Sequence, residues 1–387
     1  MLDELDWDCQ DHLHHKTSLN IIHWYPASFI TSIPGNIIDI FTEPGDSIWD
    51  PFCGCGTSAL ESFRKGRNFF GNDISEIAVR IAQAKLTLVE HRACIDKEFK
   101  RLISEVEKLD FGLSFQVADN DFIEIAKESI SIKDLLPWYS QKTLDALLIL
   151  KGLLEKYDYG KQFKTAFLVI FLNVAKLACA QQKTWGHIAD NVVPDKNQIS
   201  SNDYNVFQSY ARKLFQIQEQ ANRILIIPGN AKYQIKVEGA QTYIPPEPVD
   251  IVVTSPPYPS MADYVTSQRL DYYWLGYTVD DVNKFKKDEI GARYLRHNSK
   301  RNEVYLRGLK LCFNNIHGNL KDEGLLVLVL PEYKSIDPRS KVIDELFDYL
   351  ATLMDIRYKT PRIVDENNRW APFKSLKKET LSIWSKK

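Results

Sequence analysis

The chain has 387 residues, 44% of them hydrophobic and 26% charged, and a formal net charge of −2. That length allows a large core and, at roughly 150 residues per domain, two or three domains; the composition excludes fibrous and disordered classes. With a near-neutral balance, any nucleic-acid surface has to come from local segregation of charge, and no apolar run approaches the roughly 18 residues of a membrane span.

Residues 1–15 read as a polar, acidic arm with His12, His14 and His15, an exposed terminus rather than a metal site or a secretion signal. Ile21-Ile22-His23-Trp24-Tyr25-Pro26-Ala27-Ser28-Phe29 then makes an aromatic loop. Ile33, Ile37, Ile38, Ile40 and Phe41 give a short amphipathic helix closed by Pro44-Gly45-Asp46. Loop and helix either cover the end of a sheet or wall a ligand.

Ser47-Ile48-Trp49-Asp50 reads as a strand, Pro51 to Gly56 as a turn, and Thr57-Ser58 as a helix start with Ala59, Leu60 and Phe63 on its buried face. Glycines at 54 and 56 let the backbone approach a ligand, and the helix start supplies donors and a positive dipole end. Phe69-Phe70-Gly71-Asn72-Asp73 makes a second strand, and its closing acid, 17 residues past Gly56, is placed to accept from ribose hydroxyls. Gly54-x-Gly56-x-x-Ala59 alone matches the nicotinamide fingerprint, a pattern of low specificity. Asp50 points elsewhere, because a carboxylate before the glycines repels a pyrophosphate and suits a cationic amino acid. The six cysteines (9, 53, 55, 94, 179, 312) form no CxxC pair and no zinc spacing, so reduced thiols, a cytoplasmic chain and no metal are expected.

Residues 87–230 read as a helical insertion, with Leu144, Leu147, Leu148, Leu150, Leu153 and Leu154, then Phe163, Phe167, Ile170, Phe171 and Val174 at helical spacing. Lys176 and Gln181 to His187 either face nucleic acid or form a solvated helix end. Gln234 to Ala240 resumes the sheet.

Asp250-Ile251-Val252-Val253-Thr254-Ser255-Pro256-Pro257-Tyr258 is a β-branched strand driven into two prolines and an aromatic ring. The prolines stiffen the strand's carboxyl end, where ligands bind in open α/β sheets. There Ser255 and the Pro256 carbonyl are two acceptors and Tyr258 a flat face, a pocket for a planar amine.

Past it, Lys284, Lys286, Lys287, Arg293, Arg296, Lys300, Arg301, Arg307 and Lys310 face only Asp288, Glu289 and Glu303, and this segment is the best phosphate-binding candidate. Gly324 to Pro331 reads as a buried strand, Ser340 to Met354 as a helix, and Ile356 to Ile363 with Thr380 to Trp384 as a closing hairpin.

His23-Trp24-Tyr25-Pro26-Ala27, Asp50-Pro51-Phe52-Cys53-Gly54-Cys55-Gly56-Thr57, Gly71-Asn72-Asp73 and Thr254-Ser255-Pro256-Pro257-Tyr258 resemble the ordered motifs of amino-group DNA methyltransferases. The resemblance covers about residues 17–86 and 231–387, and its Ser-Pro-Pro-Tyr form is closer to the cytosine-N4 than to the adenine-N6 branch. It implies an α/β, Rossmann-like S-adenosylmethionine-dependent methyltransferase sheet with a terminal β-hairpin. The catalytic domain would then be 16–86 and 231–387, with 87–230 as a helical insertion and candidate target-recognition region. It also implies S-adenosylmethionine contacts from Tyr25, Pro26, Asp50, Phe52, Gly54, Gly56, Thr57, Asp73, Gly239 and Ala240. In that scheme Asp50 takes the methionine end, Asp73 the ribose, and Tyr25 with Pro26 flank the site. Where the family commonly has Gly-Asp-Ala, this chain has Glu238-Gly239-Ala240, which leaves backbone contacts to the adenine.

Ser255, Pro256, Pro257 and Tyr258 would carry the chemistry on a flipped base, and Arg269, Arg293, Arg296, Lys300 and Arg301 would contact double-stranded DNA. The expected activity is cytosine-N4 methylation, alongside a restriction endonuclease or in phage defence. Adenine-N6 methylation, a structured-RNA amino methyltransferase and a silent nucleic-acid-binding module stay open, with a nicotinamide oxidoreductase as a remote alternative. Carbon-5 cytosine methylation is set aside, because it uses a Pro-Cys nucleophile and the sequence contains no Pro-Cys.

Overall fold

The computed structural model describes residues 2, 5–8, 19–26, 28–110, 116–156, 160–226, 230–364 and 378–387. Its spine is a sheet of seven strands in the order β3-β2-β1-β4-β5-β7-β6. These are β1 (Ser47–Asp50), β2 (Asn68–Asp73), β3 (Tyr233–Val237), β4 (Val249–Thr254), β5 (Leu320–Glu332), β6 (Met354–Ile363) and β7 (Lys378–Lys386). β1 to β5 pair in parallel, and β7 enters antiparallel between β5 and β6. The fold is a Rossmann-like α/β sheet with a terminal β-hairpin, as expected from the sequence.

A parallel sheet is covered on both faces, so its strands are apolar on both. Ile48, Phe69, Ile251, Val253, Val327 and Val329 pack on one face against Ile33, Ile37, Val79, Ala82 and Leu86. Their neighbours Trp49, Phe70, Val252, Leu326 and Leu328 pack on the other, against Leu309, Phe313, Ile316, Leu346 and Leu350. The period of two along each strand assigns these faces. Because the chain runs outward one way from β1 and the other way from β4, the carboxyl ends of these adjoining strands border the crevice of a topological switch point.

Every element between β2 and β3 is helical among the described residues. The helix Glu76–Glu90 runs through the expected boundary at 87 and belongs to both layers: Val79 and Ala82 face the sheet, while Ile81, Leu88 and Val89 join the helical core. That core also takes in Tyr272, Tyr273 and Trp274 from the segment after the Ser-Pro-Pro-Tyr motif. Trp274 is fully buried, meets Phe171 edge-on at 5.1 Å and donates from Nε1 to Tyr139 Oη at 3.0 Å. The described part of the N-terminal arm is docked rather than loose: Trp7 is buried, its carbonyl accepts from Arg362 Nε, and Asp8 accepts from the Ile363 amide. His12, His14 and His15 lie outside the described residues.

No helix of the described residues is long and apolar enough to cross a membrane, and none of them group as three or more metal-ligating side chains.

Replacing Trp274 by alanine removes the largest side chain joining the helical layer to the motif segment. Truncation of a buried aromatic of this size costs about 3–5 kcal/mol, and chemical denaturation should show a loss in that range. A cost below about 1 kcal/mol, that of an ordinary surface substitution, would mean that the two layers do not depend on this contact.

Candidate active site

The tips of β1 and β4 are held together by one carboxylate. Asp50, the last residue of β1, accepts from the Thr254 hydroxyl at 2.7 Å and the Phe52 amide at 3.1 Å on Oδ1, and from the Ser58 hydroxyl at 2.8 Å on Oδ2. It is buried, and burial pushes its pKa up to about 6 against the pull of those hydrogen bonds. Both oxygens are therefore engaged by the protein from behind the glycine turn. This differs from a direct contact to the methionine end of a donor: the carboxylate points inward, where the helix Thr57–Arg64 and β4 converge on it.

Asn72 makes a second brace. Its side chain donates to the carbonyls of Pro51 and Glu238, each at 3.1 Å, and accepts from Trp49 Nε1 at 2.9 Å. Asp73 follows with Oδ2 accepting from the Gly54 amide at 3.0 Å and Oδ1 from the Ser75 amide at 2.8 Å. Burial raises its pKa to about 6. Gly54 and Gly56 have φ of +49° and +77°, values that favour glycine. A Cβ on Gly56 would sit 2.5 Å from that of Ala82, so this glycine lets the helix Glu76–Glu90 pack under the turn.

Above the turn lies a partly open cavity, lined by Tyr25, Phe52, Gly54, Asp73, Ala240, Ser255, Pro257, Tyr264 and Glu289 among others. Tyr25 and Tyr264 stack at 6.1 Å and form one wall. Its lining includes Asp73, Asp288 and Glu289 but no Lys or Arg. Such a wall disfavours a pyrophosphate and suits a cationic nucleoside, so the residues present fit S-adenosylmethionine.

The Ser-Pro-Pro-Tyr tip is fixed from outside the motif. Tyr305, on the helix Arg301–Asn319, donates to the Pro257 carbonyl at 2.9 Å, while no donor among the described residues meets the Pro256 carbonyl. Ser255 Oγ has only long contacts, 3.3 Å to Tyr258 Oη and 3.4 Å to the Val329 carbonyl. Tyr258 stands half-buried beside the cavity, its hydroxyl donating to Glu379 of β7 at 2.7 Å, and Glu379 in turn pairs with Arg362 of β6. Tyr305, Glu379 and Glu289 carry no local sequence signal: each is brought to the site by pairing or packing distant in the chain.

The expected residues divide accordingly. Tyr25, Phe52, Gly54, Asp73, Ala240, Ser255 and Pro257 line the cavity, whereas Asp50, Gly56 and Thr57 support it from beneath. Pro26 and Pro256 are buried and do not appear in its wall. The Gly239 carbonyl accepts from the Thr242 and Tyr243 amides, which shapes the turn that presents Ala240.

Of the expected DNA contacts, Arg269 is a correction. It is 2% exposed, donates to the Ile188 and Thr266 carbonyls and to Gln181, and lies over the Trp138 ring, so it cannot reach a phosphate. Arg293 pairs with Asp190 at 2.8 Å, and Arg301 donates to the Arg296 carbonyl. Arg296 and Lys300 are exposed. Their segment is tied to the motif loop by Ser260 N to Gly291 O at 2.8 Å and Arg293 N to Ala262 O at 3.1 Å. Lys176 is turned inward, donating to the Ser267 carbonyl at 2.6 Å with Trp24 beneath it. Gln181 is likewise buried, donating to the His187 and Val192 carbonyls.

A family model described as DNA methylase, of the N6/N4 type, matches residues 4–84. The type II methyltransferase M.MvaI of Kocuria varians is 25% identical over 82% of this chain and 72% of its own length. M.BsoBI of Geobacillus stearothermophilus is 24% identical over 70% of this chain and 56% of its own length. M.MjaII of Methanocaldococcus jannaschii is 22% identical over 92% and 80%. With the motifs at adjoining strand tips, the chain is thus similar over most of its length to type II DNA methyltransferases, and S-adenosylmethionine is the cofactor that these similarities and the cavity lining support.

Proposed function

We propose that the chain methylates the exocyclic N4 amine of a cytosine in double-stranded DNA, with the base turned out of the duplex toward Ser255 and Tyr258. The observation that carries this reading is the joint lining of one cavity by Gly54, Asp73, Ser255 and Pro257. Donor and acceptor sites are then one space. Asp73 accepts from the ribose, Ala240 borders the adenine, and Phe52 with Gly54 packs against the methionine end while Tyr25 closes the side. When bound, the donor supplies an electrophilic methyl carbon on a positively charged sulfur.

The amine lone pair is conjugated into the base and becomes nucleophilic as the nitrogen pyramidalises. Ser255 Oγ and the Pro256 carbonyl, accepting its two hydrogens, favour that change in the transition state. No covalent intermediate is required, and the Cys53 thiol, held well above its ordinary pKa by burial, is unsuited to form one. Tyr258, anchored through its hydroxyl, offers a ring face to the flipped base. Arg296 and Lys300 take phosphates beside the motif loop. The Ser-Pro-Pro-Tyr form favours cytosine, and the type II relatives favour a role as the modification partner of a restriction endonuclease.

Digestion of methylated DNA to nucleosides followed by mass spectrometry should give N4-methylcytosine. N6-methyladenine in its place would overturn the base assignment, and product only in RNA would overturn the substrate class.

Stacking on an aromatic ring is worth about 1–3 kcal/mol per base, so Tyr258→Ala should lower kcat/KM for DNA by roughly 5- to 150-fold. The donor dissociation constant should stay within about twofold. Equal loss of both would remove Tyr258 from the base site.

Asp73 titrates higher folded, at about 6, than its ordinary value of 3.8. The folded state therefore binds the proton more tightly than the unfolded chain, and the stability tied to this group falls as pH rises from about 4 to 6. Asp73→Asn should gain in thermal midpoint relative to wild type across that window while weakening donor binding. A constant difference between the two proteins would remove the burial account.

A further inference from the structure

Glu289 reads in the sequence as one of three acids in a basic segment, and the methylation chemistry described above does not use it. The structure takes it out of solvent, at 7% exposure, and places it in the wall of the cavity with Asp73 and Ser255. One carboxyl oxygen, Oε1, accepts from the Val265 amide at 2.7 Å. The other, Oε2, is buried with no hydrogen-bond partner among the described residues. Such an atom is costly to leave alone and marks a place for a ligand.

The groups facing it are few and mostly acidic or neutral. Asp263, at the start of the segment Tyr264–Ser267, disfavours its ionisation; Lys286 on its own segment favours it; Asp288 lines the same cavity. The phenols of Tyr264, Tyr272 and Tyr294 also face it. The Tyr264 amide favours the charged form from beyond hydrogen-bonding geometry. Burial outweighs these influences and pushes its pKa up to about 8, so the carboxyl is mostly protonated at neutral pH.

S-adenosylmethionine and its demethylated product, S-adenosylhomocysteine, share every group except the methyl and the positive charge on sulfur. A neutral carboxyl has little electrostatic means of telling them apart; an ionised one gains the attraction of the sulfonium, which only the donor carries. We propose that Glu289 is a charge-discriminating residue of the donor site, releasing its proton to solvent as the sulfonium donor binds and taking one back once the methyl has left. This rests on the reading of the cavity as the donor site. In the transfer the carbon–sulfur bond breaks with its electron pair on sulfur, a carbon–nitrogen bond forms, and the amine loses one proton. The positive charge that held Glu289 ionised is then gone, and the spent product is bound less tightly than the donor.

The test is titration calorimetry of the full chain with S-adenosylmethionine and, separately, S-adenosylhomocysteine, from pH 6.5 to 9, for wild type and Glu289→Gln. Glutamine keeps an acceptor for the Val265 amide, and product affinity serves as the control for an intact pocket. The variant should bind the product within about twofold of wild type and the donor about tenfold more weakly. The wild-type advantage for the donor should grow about tenfold between pH 7 and 9 as linkage to a pKa near 8 requires, while that for the product stays flat. Comparison with the variant at each pH cancels titration of the ligand's own amine. In wild type alone, buffers of different ionisation heat should show close to one proton released per donor bound at pH 7 and none per product. Equal effects of the substitution on donor and product, or no proton release, overturn the proposal while leaving the donor site in place. Failure of wild type to bind either compound overturns the cavity reading and the proposal with it.

Discussion

The geometry of this molecule depends on a carboxylate that solvent does not reach. Asp50 receives a hydroxyl from each of the two elements that meet at the end of β1, Thr254 of β4 and Ser58 of the following helix, and closes its own turn through the Phe52 amide. The three donors converge from different directions on two oxygens, which fixes the glycine turn relative to the tip of the neighbouring strand. Asn72 repeats the device one strand over, joining the carbonyls of Pro51 and Glu238. The ends of β1, β2, β3 and β4 are thus set relative to one another by the protein itself, as a site that has to align two reactants requires.

This also explains what the sequence could and could not reveal. Motif order, the strand–turn–helix of residues 47–64 and the terminal hairpin are local patterns, and the structure forms them, with β5 starting at Leu320 and β7 running from Lys378 to Lys386. Proximity of the two tips was legible as well, because β1 and β4 are the long-range neighbours that a switch-point sheet demands. The direction in which a side chain points was not. Asp50 and Arg269 sit in stretches that look functional, yet one faces the interior of the turn and the other a buried nest of carbonyls beside Trp138. A charge in a motif has no sign of orientation until its partners are known, and those partners lie up to 204 residues away for Asp50. Glu379 and Tyr305 show the converse. Both look like ordinary polar and aromatic positions on a strand and a helix, and only strand pairing and helix packing bring them to Tyr258 and Pro257.

The helical insertion bears on the site through the same logic. Its core continues into Tyr272, Tyr273 and Trp274, and Tyr272 reaches back to the Ser75 hydroxyl next to Asp73 at 3.1 Å. His23 meets Asp271 in the same layer, at 3.1 Å, which ties down the loop carrying Tyr25. The wall of the cavity is therefore an outer surface of the helical layer as much as a property of the sheet. A substitution deep in that layer can shift Tyr25 or Tyr264 without touching either.

Charge is arranged in two zones. Acids line the cavity, and the exposed cations Arg296 and Lys300 stand on the segment bonded to the loop at its side. On the reading proposed above, two ligands of opposite charge use these zones in turn, a cationic donor inside and a phosphate backbone outside. A fully ionised cavity would repel the second. Burial reduces that conflict by raising the pKa of Glu289 to about 8, so that one cavity acid carries little charge at neutral pH until a cation compensates it. The desolvation that makes an unpaired carboxyl expensive is then what lets an acidic pocket and a polyanion share one face of the protein. The same burial raises Asp73 only to about 6, because two backbone amides already hold its oxygens; it remains mostly ionised at neutral pH as a ready acceptor. Two carboxyls in one cavity thus differ in charge because one is given amides for both oxygens and the other for one.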